Sequence, residues 1–147
     1  MNVSFTGADV GNARTFSVDY LEPRAPQATP TAAQTVTETV RDLILAQSPL
    51  KLVADGADVR YEGQITGFDV QPVAIQANET AALNRLTITL SIRYTDTLEK
   101  GKDSEFTITR FADYDSGQDL VTVEETLVKE IGRQLAQDIF DRTLGRW

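Results

Sequence analysis

The sequence predicts an α+β domain: a two-layer sandwich with two helices packed on one face of a four-stranded mixed sheet, in the order β-α-β-β-β-α. Three observations carry this. Residues 15–20, 58–73, 85–95 and 104–111 alternate apolar and polar side chains with period two, as strands with one buried face do. Residues 31–47 and 120–144 each carry one apolar stripe at helical spacing. Each helix therefore has one face to bury, and a one-sided sheet is the surface that can receive both.

The first strand, Thr15 to Tyr20, turns Phe16, Val18 and Tyr20 inward. The linker from Glu22 to Pro30 holds Pro23, Pro26 and Pro30 and cannot be helical. In the helix that follows, Ala33, Val36, Val40, Leu43, Ile44 and Gln47 form the stripe, apolar except at its end. Its N-cap is either Thr31, in a capping box with Gln34, or Thr29 ahead of Pro30. Ser48-Pro49 stops it. Leu50 to Val53 is a short strand or strand end, broken by Asp55-Gly56.

In the long strand 58–73, Val59, Tyr61, Gly63 and Ile65 share a face, but beyond Gly67 the apolar set becomes Phe68 and Val70. A one-residue change of phase beside a glycine predicts a β-bulge within Thr66 to Phe68. The cleanest strand is Arg85 to Thr95. Leu86, Ile88, Leu90, Ile92 and Tyr94 point one way, and Arg85, Thr87, Thr89, Ser91 and Arg93 the other. Glu99-Lys100-Gly101-Lys102 turns the chain into Ser104 to Phe111, with Phe106 and Ile108 inward. The final helix, Leu120 to Leu144, aligns Val123, Leu127, Val128, Ile131, Leu135, Ile139 and Arg142, and Thr122 with Glu125 offers a capping box. Gly132 in its middle suggests a close backbone approach. The β-α-β start implies a parallel pair or a right-handed crossover, with the first strand beside either the second or the fourth.

A chain of 147 residues suits one domain, residues 1–147, with residues 1–13 as an extended N-terminal leader. The net charge is −8, with no cluster of Lys and Arg to displace counterions, so nucleic acid is not an expected partner. Without Cys or His the chain lacks thiol nucleophiles, His acid–base catalysis and the usual transition-metal ligands. No cofactor, metal site or catalytic residue is expected. No apolar run approaches the ~18 residues of a membrane helix, and no signal peptide is visible at Met1.

The acidic run Asp113 to Asp119 places Gly117 at the wrong position for a calcium loop, and reads as a turn with favourable charge at a helix N-terminus. Asn78-Glu79-Thr80 fits the glycosylation triplet, a pattern frequent by chance. The connection from Gln71 to Leu86 carries Gln71, Gln76, Asn78, Glu79, Thr80, Asn84 and Arg85. On chemistry alone it is equally a spacer that satisfies its own backbone or a partner-binding loop at the sheet's end.

The run Gly67-Phe68-Asp69-Val70-Gln71-Pro72-Val73-Ala74-Ile75-Gln76-Ala77-Asn78-Glu79-Thr80-Ala81-Ala82-Leu83-Asn84-Arg85-Leu86-Thr87-Ile88 resembles the middle of the LptE family of lipopolysaccharide-assembly lipoproteins, in its Bacteroidetes branch. Ser4-Phe5-Thr6-Gly7, Thr15-Phe16-Ser17-Val18, Phe111-Ala112-Asp113-Tyr114 and the terminal helix ending in Trp147 resemble that branch too. The resemblance implies an outer-membrane lipoprotein on the periplasmic face, anchored by an N-terminal lipid. It implies a partner, the LptD-type β-barrel, which such proteins plug while lipopolysaccharide is inserted into the outer leaflet, and it implies no catalysis. The lipidated cysteine of the family is missing here, consistent with a form lacking signal and anchor. The resemblance tips Gln71 to Arg85 towards barrel contact. Direct contact with anionic lipopolysaccharide would fall to Arg85, Arg93 or Arg110, since charges beyond about 8 Å are screened. Two other classes compete: a periplasmic small-molecule or glycan-binding module with a pocket beside Tyr61 or Tyr94, and a hydrolase using carboxylates such as Glu62, Asp69 and Glu79 in a cleft.

Overall fold

A computed structural model describes residues 8–74 and 82–145. The elements run β1 (Thr15–Val18), β2 (Glu22–Pro23), α1 (Pro30–Gln47), β3 (Lys51–Leu52), β4 (Val59–Val73), β5 (Leu83–Asp96), β6 (Ser104–Asp115) and α2 (Leu120–Thr143), with a 3-10 turn at Lys100–Lys102. The sheet order is β3-β1-β4-β5-β6, and β2 pairs with β4 beyond the end of β1. The α+β sandwich is as expected, but the mixed sheet has six strands rather than four. The additional strands, β2 and β3, are two residues each, too short to show an alternation.

The β1-α1-β3/β4 portion is parallel: β1 pairs with both β3 and β4 in that sense, so the first strand lies beside the first long strand. β4, β5 and β6 form an antiparallel meander. The register of β4 on β5 shifts between Ile65 and Gly67, at the expected bulge. That shift lets Ile65 and Phe68 both reach the core, at 0% and 2% exposure.

The core lies between the helices and one face of the sheet. Phe16 and Val18 of β1, Tyr61 and Ile65 of β4, and Leu86, Ile88, Leu90, Ile92 and Tyr94 of β5 meet Val36, Val40 and Ile44 of α1. Val128, Ile131, Leu135 and Ile139 of α2 complete it. Tyr61 and Tyr94 pack with their rings tilted by 51° and their centroids 5.1 Å apart, and the Tyr61 hydroxyl hydrogen-bonds Thr143 Oγ1 at 2.7 Å. The end of the α1 stripe is polar for a reason: Gln47 and Gln137 of α2 exchange two amide hydrogen bonds, at 3.0 and 3.2 Å. Arg142, ending the α2 stripe, sits over the Phe106 ring at 5.2 Å.

Several local expectations are corrected. Tyr20 is 40% exposed because β1 ends at Val18, and Leu21 takes the inward place instead. Strand β6 runs on past Phe111 to Asp115, since Ala112 and Tyr114 continue the buried alternation of Ile108. Thr29 is the N-cap of α1, its hydroxyl accepting from Ala32 N at 3.0 Å with Pro30 at the first helical position. The N-cap of α2 is Asp119, with no side-chain cap, so the Thr122–Glu125 box is not formed. Gly132 does face α1, but a β-carbon there would meet Thr39 at 3.6 Å, an ordinary contact, so no glycine is required. The leader expected over residues 1–13 is tied down from Ala8, which bridges Gly145, while Asp9 N donates to Leu144 O.

Candidate interaction surface

Both helices lie on one face of the sheet, which leaves the other face of β4, β5 and β6 to polar side chains. From β4 come Glu62, Gln64, Gly67, Asp69 and Gln71; from β5 come Arg85, Thr87, Thr89, Ser91 and Arg93; from β6 come Glu105, Thr107, Thr109, Phe111 and Asp113. Alternation within each strand and the bulge at Gly67 together keep this set in phase. The middle is made of small groups. Thr89 and Thr109 share a hydrogen bond at 3.0 Å, and a β-carbon at Gly67 would lie 3.0 Å from the Thr89 side chain. A glycine opposite Thr89 keeps the centre of the face low.

Ion pairs across β5 and β6 mark the two ends. At one end Arg93 Nε meets Glu105 Oε1 at 2.6 Å, with both side chains about two-thirds exposed. At the other, Arg85 donates to both carboxylate oxygens of Asp113, at 2.8 and 3.1 Å, and its guanidinium lies 3.8 Å above the Phe111 ring. The Asp113 carboxylate raises the Arg85 pKa further above its ordinary value. Between β2 and the Arg93 end lies a depression of about 620 Å³, lined by Asp19, Tyr20, Glu62, Gln64, Arg93 and Glu105 among others.

The residues singled out from sequence are dispersed. Gln71, Asn84 and Arg85 sit together near the end of the β4–β5 hairpin, where Gln71 faces Arg85 and Pro72 faces Asn84. Gln76, Asn78, Glu79 and Thr80 lie outside the described residues. Arg93 is at the opposite end of the same face. Arg110 is on the helix side of β6, where two hydrogen bonds of 2.8 Å join it to Asp138 of α2 and raise its pKa. All three arginines proposed from sequence for lipopolysaccharide are thus ion-paired within the chain, and Arg93 is the most exposed of them. Phe111 and Asp113 were not singled out as contact residues. The signal was present: Phe111 is out of phase with Phe106 and Ile108, which places it on the polar face.

The space beside Tyr61 and Tyr94 is filled by their mutual ring packing and by Thr143, so the pocket expected of a ligand-binding module there is not formed. Burial pushes both phenols well above their ordinary pKa. Among the described residues no group of three or more acidic side chains is placed to hold a metal ion. No described helix is long and apolar enough to cross a membrane.

The fold is similar to that of a minor lipoprotein from Acinetobacter baumannii, at 15% identity and a TM-score of 0.53, over 86% of this chain and 89% of that one. It is also similar to rare lipoprotein B from Shewanella oneidensis, at 15% identity and 0.52, over 87% and 92%. The PelC dodecamer from Paraburkholderia phytofirmans shares it at 11% identity and 0.51, over 96% and 95%. At such identities these likenesses speak to fold alone. A comparison with curated protein sequences returns no match. The model of the lipopolysaccharide-assembly family LptE matches residues 13–143, from the last residues before β1 to the end of α2, and the chain belongs to that family.

Proposed function

We propose that this protein is a non-catalytic lipopolysaccharide-assembly subunit that seats within an LptD-type outer-membrane β-barrel through the polar face of its sheet. The observation that carries this is the helix-free face of β4, β5 and β6, kept low at its centre by Gly67 and tied by cross-strand pairs. The inner wall of a large barrel is itself polar, and a rigid hydroxyl-rich sheet face can exchange hydrogen bonds with it at little ordering cost. Gln71 and Arg85 extend that face to the hairpin end; Asn84, which alternates to the helix side of β5, and Gln76, Asn78, Glu79 and Thr80 belong to the same proposed contact. Membership in the family supports the outer membrane, on the periplasmic side, as the site of action, with an N-terminal lipid as the proposed anchor.

Lipopolysaccharide contact is secondary in this proposal and centres on Arg93, the most exposed of the three, because Arg85 and Arg110 each commit their Nε–Nη2 edge to a carboxylate, of Asp113 and Asp138. One hydrophobic cluster runs from Ala13 to Leu144, which favours a single domain. Affinity purification of the tagged, lipidated protein from its own envelope tests the assignment. Recovery of a large β-barrel in stoichiometric amount is expected; recovery of the intact lipoprotein without one would overturn it.

A further inference from the structure

The two edges of the sheet are built differently. One ends in β3, only two residues long and carrying Lys51, with the equally short β2 nearby carrying Pro23. Short strands, lysine and proline all discourage an edge from recruiting another strand. The opposite edge, β6, has none of these devices. It runs from Ser104 to Asp115 without proline or lysine, in unbroken register with β5. Among the described residues β5 is its only strand neighbour. Alternate N–H and C=O groups along β6 therefore point outward with no ladder partner. We infer that the free edge of β6 is a strand-addition site and that its occupant is an extended, basic segment of a partner protein.

The side chains set the chemistry of that segment. On the open face, a strand added beside β6 runs past Glu105, Thr107, Thr109, Phe111 and Asp113. Glu105 and Asp113 are bonded to Arg93 and Arg85 from the β5 side, and a carboxylate accepts more donors than one partner supplies. Cations opposite both acids and an apolar group opposite Phe111, which is 47% exposed, complete the match. A second copy of this chain fits less well. The two antiparallel self-pairings of greatest overlap set Glu105 against Asp113 or against Asp115, and the latter also sets Arg110 against Arg110. Like charges directly opposite destabilise a sheet pair. The net charge of −8 likewise favours a basic segment over another copy. This site does not rest on the barrel assignment: a closed barrel wall has no free edge, so the segment belongs to a loop or terminus.

The test is residue-resolved amide hydrogen exchange on the full chain, with a threonine-rich synthetic peptide as the probe. Its lysines are spaced to face Glu105 and Asp113, and a valine faces Phe111. The expected result is slowed exchange at alternate β6 residues only, with affinity roughly tenfold weaker when the lysines are replaced by glutamates. In the exposed-site variant Thr107→Lys, with unchanged melting, the protection is lost. No slowing at saturating peptide would overturn the inference, as would slowing that is equal with the glutamate peptide. Slowing that depends on protein concentration without peptide would overturn it in favour of self-pairing. Barrel capture can succeed or fail independently of each result.

Discussion

Arg85 grips Asp113 with two hydrogen bonds, 2.8 and 3.1 Å long, while its guanidinium lies flat above Phe111. Three side chains from two strands are thereby fixed at the hairpin end of the polar face. Replacing Arg85 by Lys keeps the charge but removes the planar fork that makes both bonds and the stacking. The Arg85→Lys variant is expected to keep its denaturation midpoint almost unchanged, because the pair is solvent-exposed. Barrel capture is expected to fall severalfold, measured by quantitative pull-down against wild type. Equal capture by the variant would remove this corner from the contact surface.

Beneath the opposite face, Tyr61 shares its hydroxyl hydrogen with Thr143 at the last turn of α2. Thr143 also bonds Ile139 O, so the threonine keeps a partner when the phenol is removed. Tyr61→Phe should therefore cost only about 1 kcal/mol, the net worth of one buried hydrogen bond. Urea denaturation at constant slope measures it, and a loss above about 3 kcal/mol would mean the hydroxyl holds more than α2.

The same tyrosines give an alkaline limit. Burial raises the folded pKa of Tyr61 and Tyr94 above the ordinary value of 10.0, with the charges of Asp96, Asp103 and Glu99 adding to the effect at Tyr94. Above pH 10 the unfolded chain ionises while the folded chain stays neutral, so protons are bound preferentially by the native state. Stability is expected to be complete below pH 10 and to fall as pH rises beyond it. In denaturation midpoints across that range, Tyr94→Phe should show a shallower fall than wild type.

Gly132 sits where α2 crosses α1, with Thr39 the nearest side chain. A methyl group there meets ordinary contacts, and alanine restricts the unfolded chain. Gly132→Ala should stabilise by about 0.5–1 kcal/mol. A lowered melting temperature would show that the helices approach more closely than these distances indicate.

Much of this architecture was legible in the sequence because most residues of its long strands obey one rule. The alternation from Leu86 to Tyr94 assigns every residue of that stretch to a face, and the phase change near Gly67 located the bulge. What alternation cannot show is an element of two residues: β2 falls within the proline-containing linker, and β3 lies inside the short strand or strand end expected over Leu50 to Val53. Tyr20 misled because its position continued the period of Phe16 and Val18 after the strand had ended. At the candidate surface, one sequence showed which arginines were available but not their partners. Arg110 and Asp138 are far apart in the chain, and only the docking of α2 on β6 brings them together. The N-terminus of α2 lies earlier than the Thr122–Glu125 box predicts, because the path of the chain leaving β6 starts the helix at Leu120 after Asp119.

Site-specific photo-crosslinking in the living envelope tests the central claim most directly. A photoreactive residue at Thr109, in the middle of the polar sheet face, is compared with one at Glu130, on the exposed side of α2. Crosslinks from Thr109 to a large outer-membrane β-barrel, with few from Glu130, are the predicted result. Barrel crosslinks confined to Glu130 would contradict the assignment of the sheet face as the docking surface.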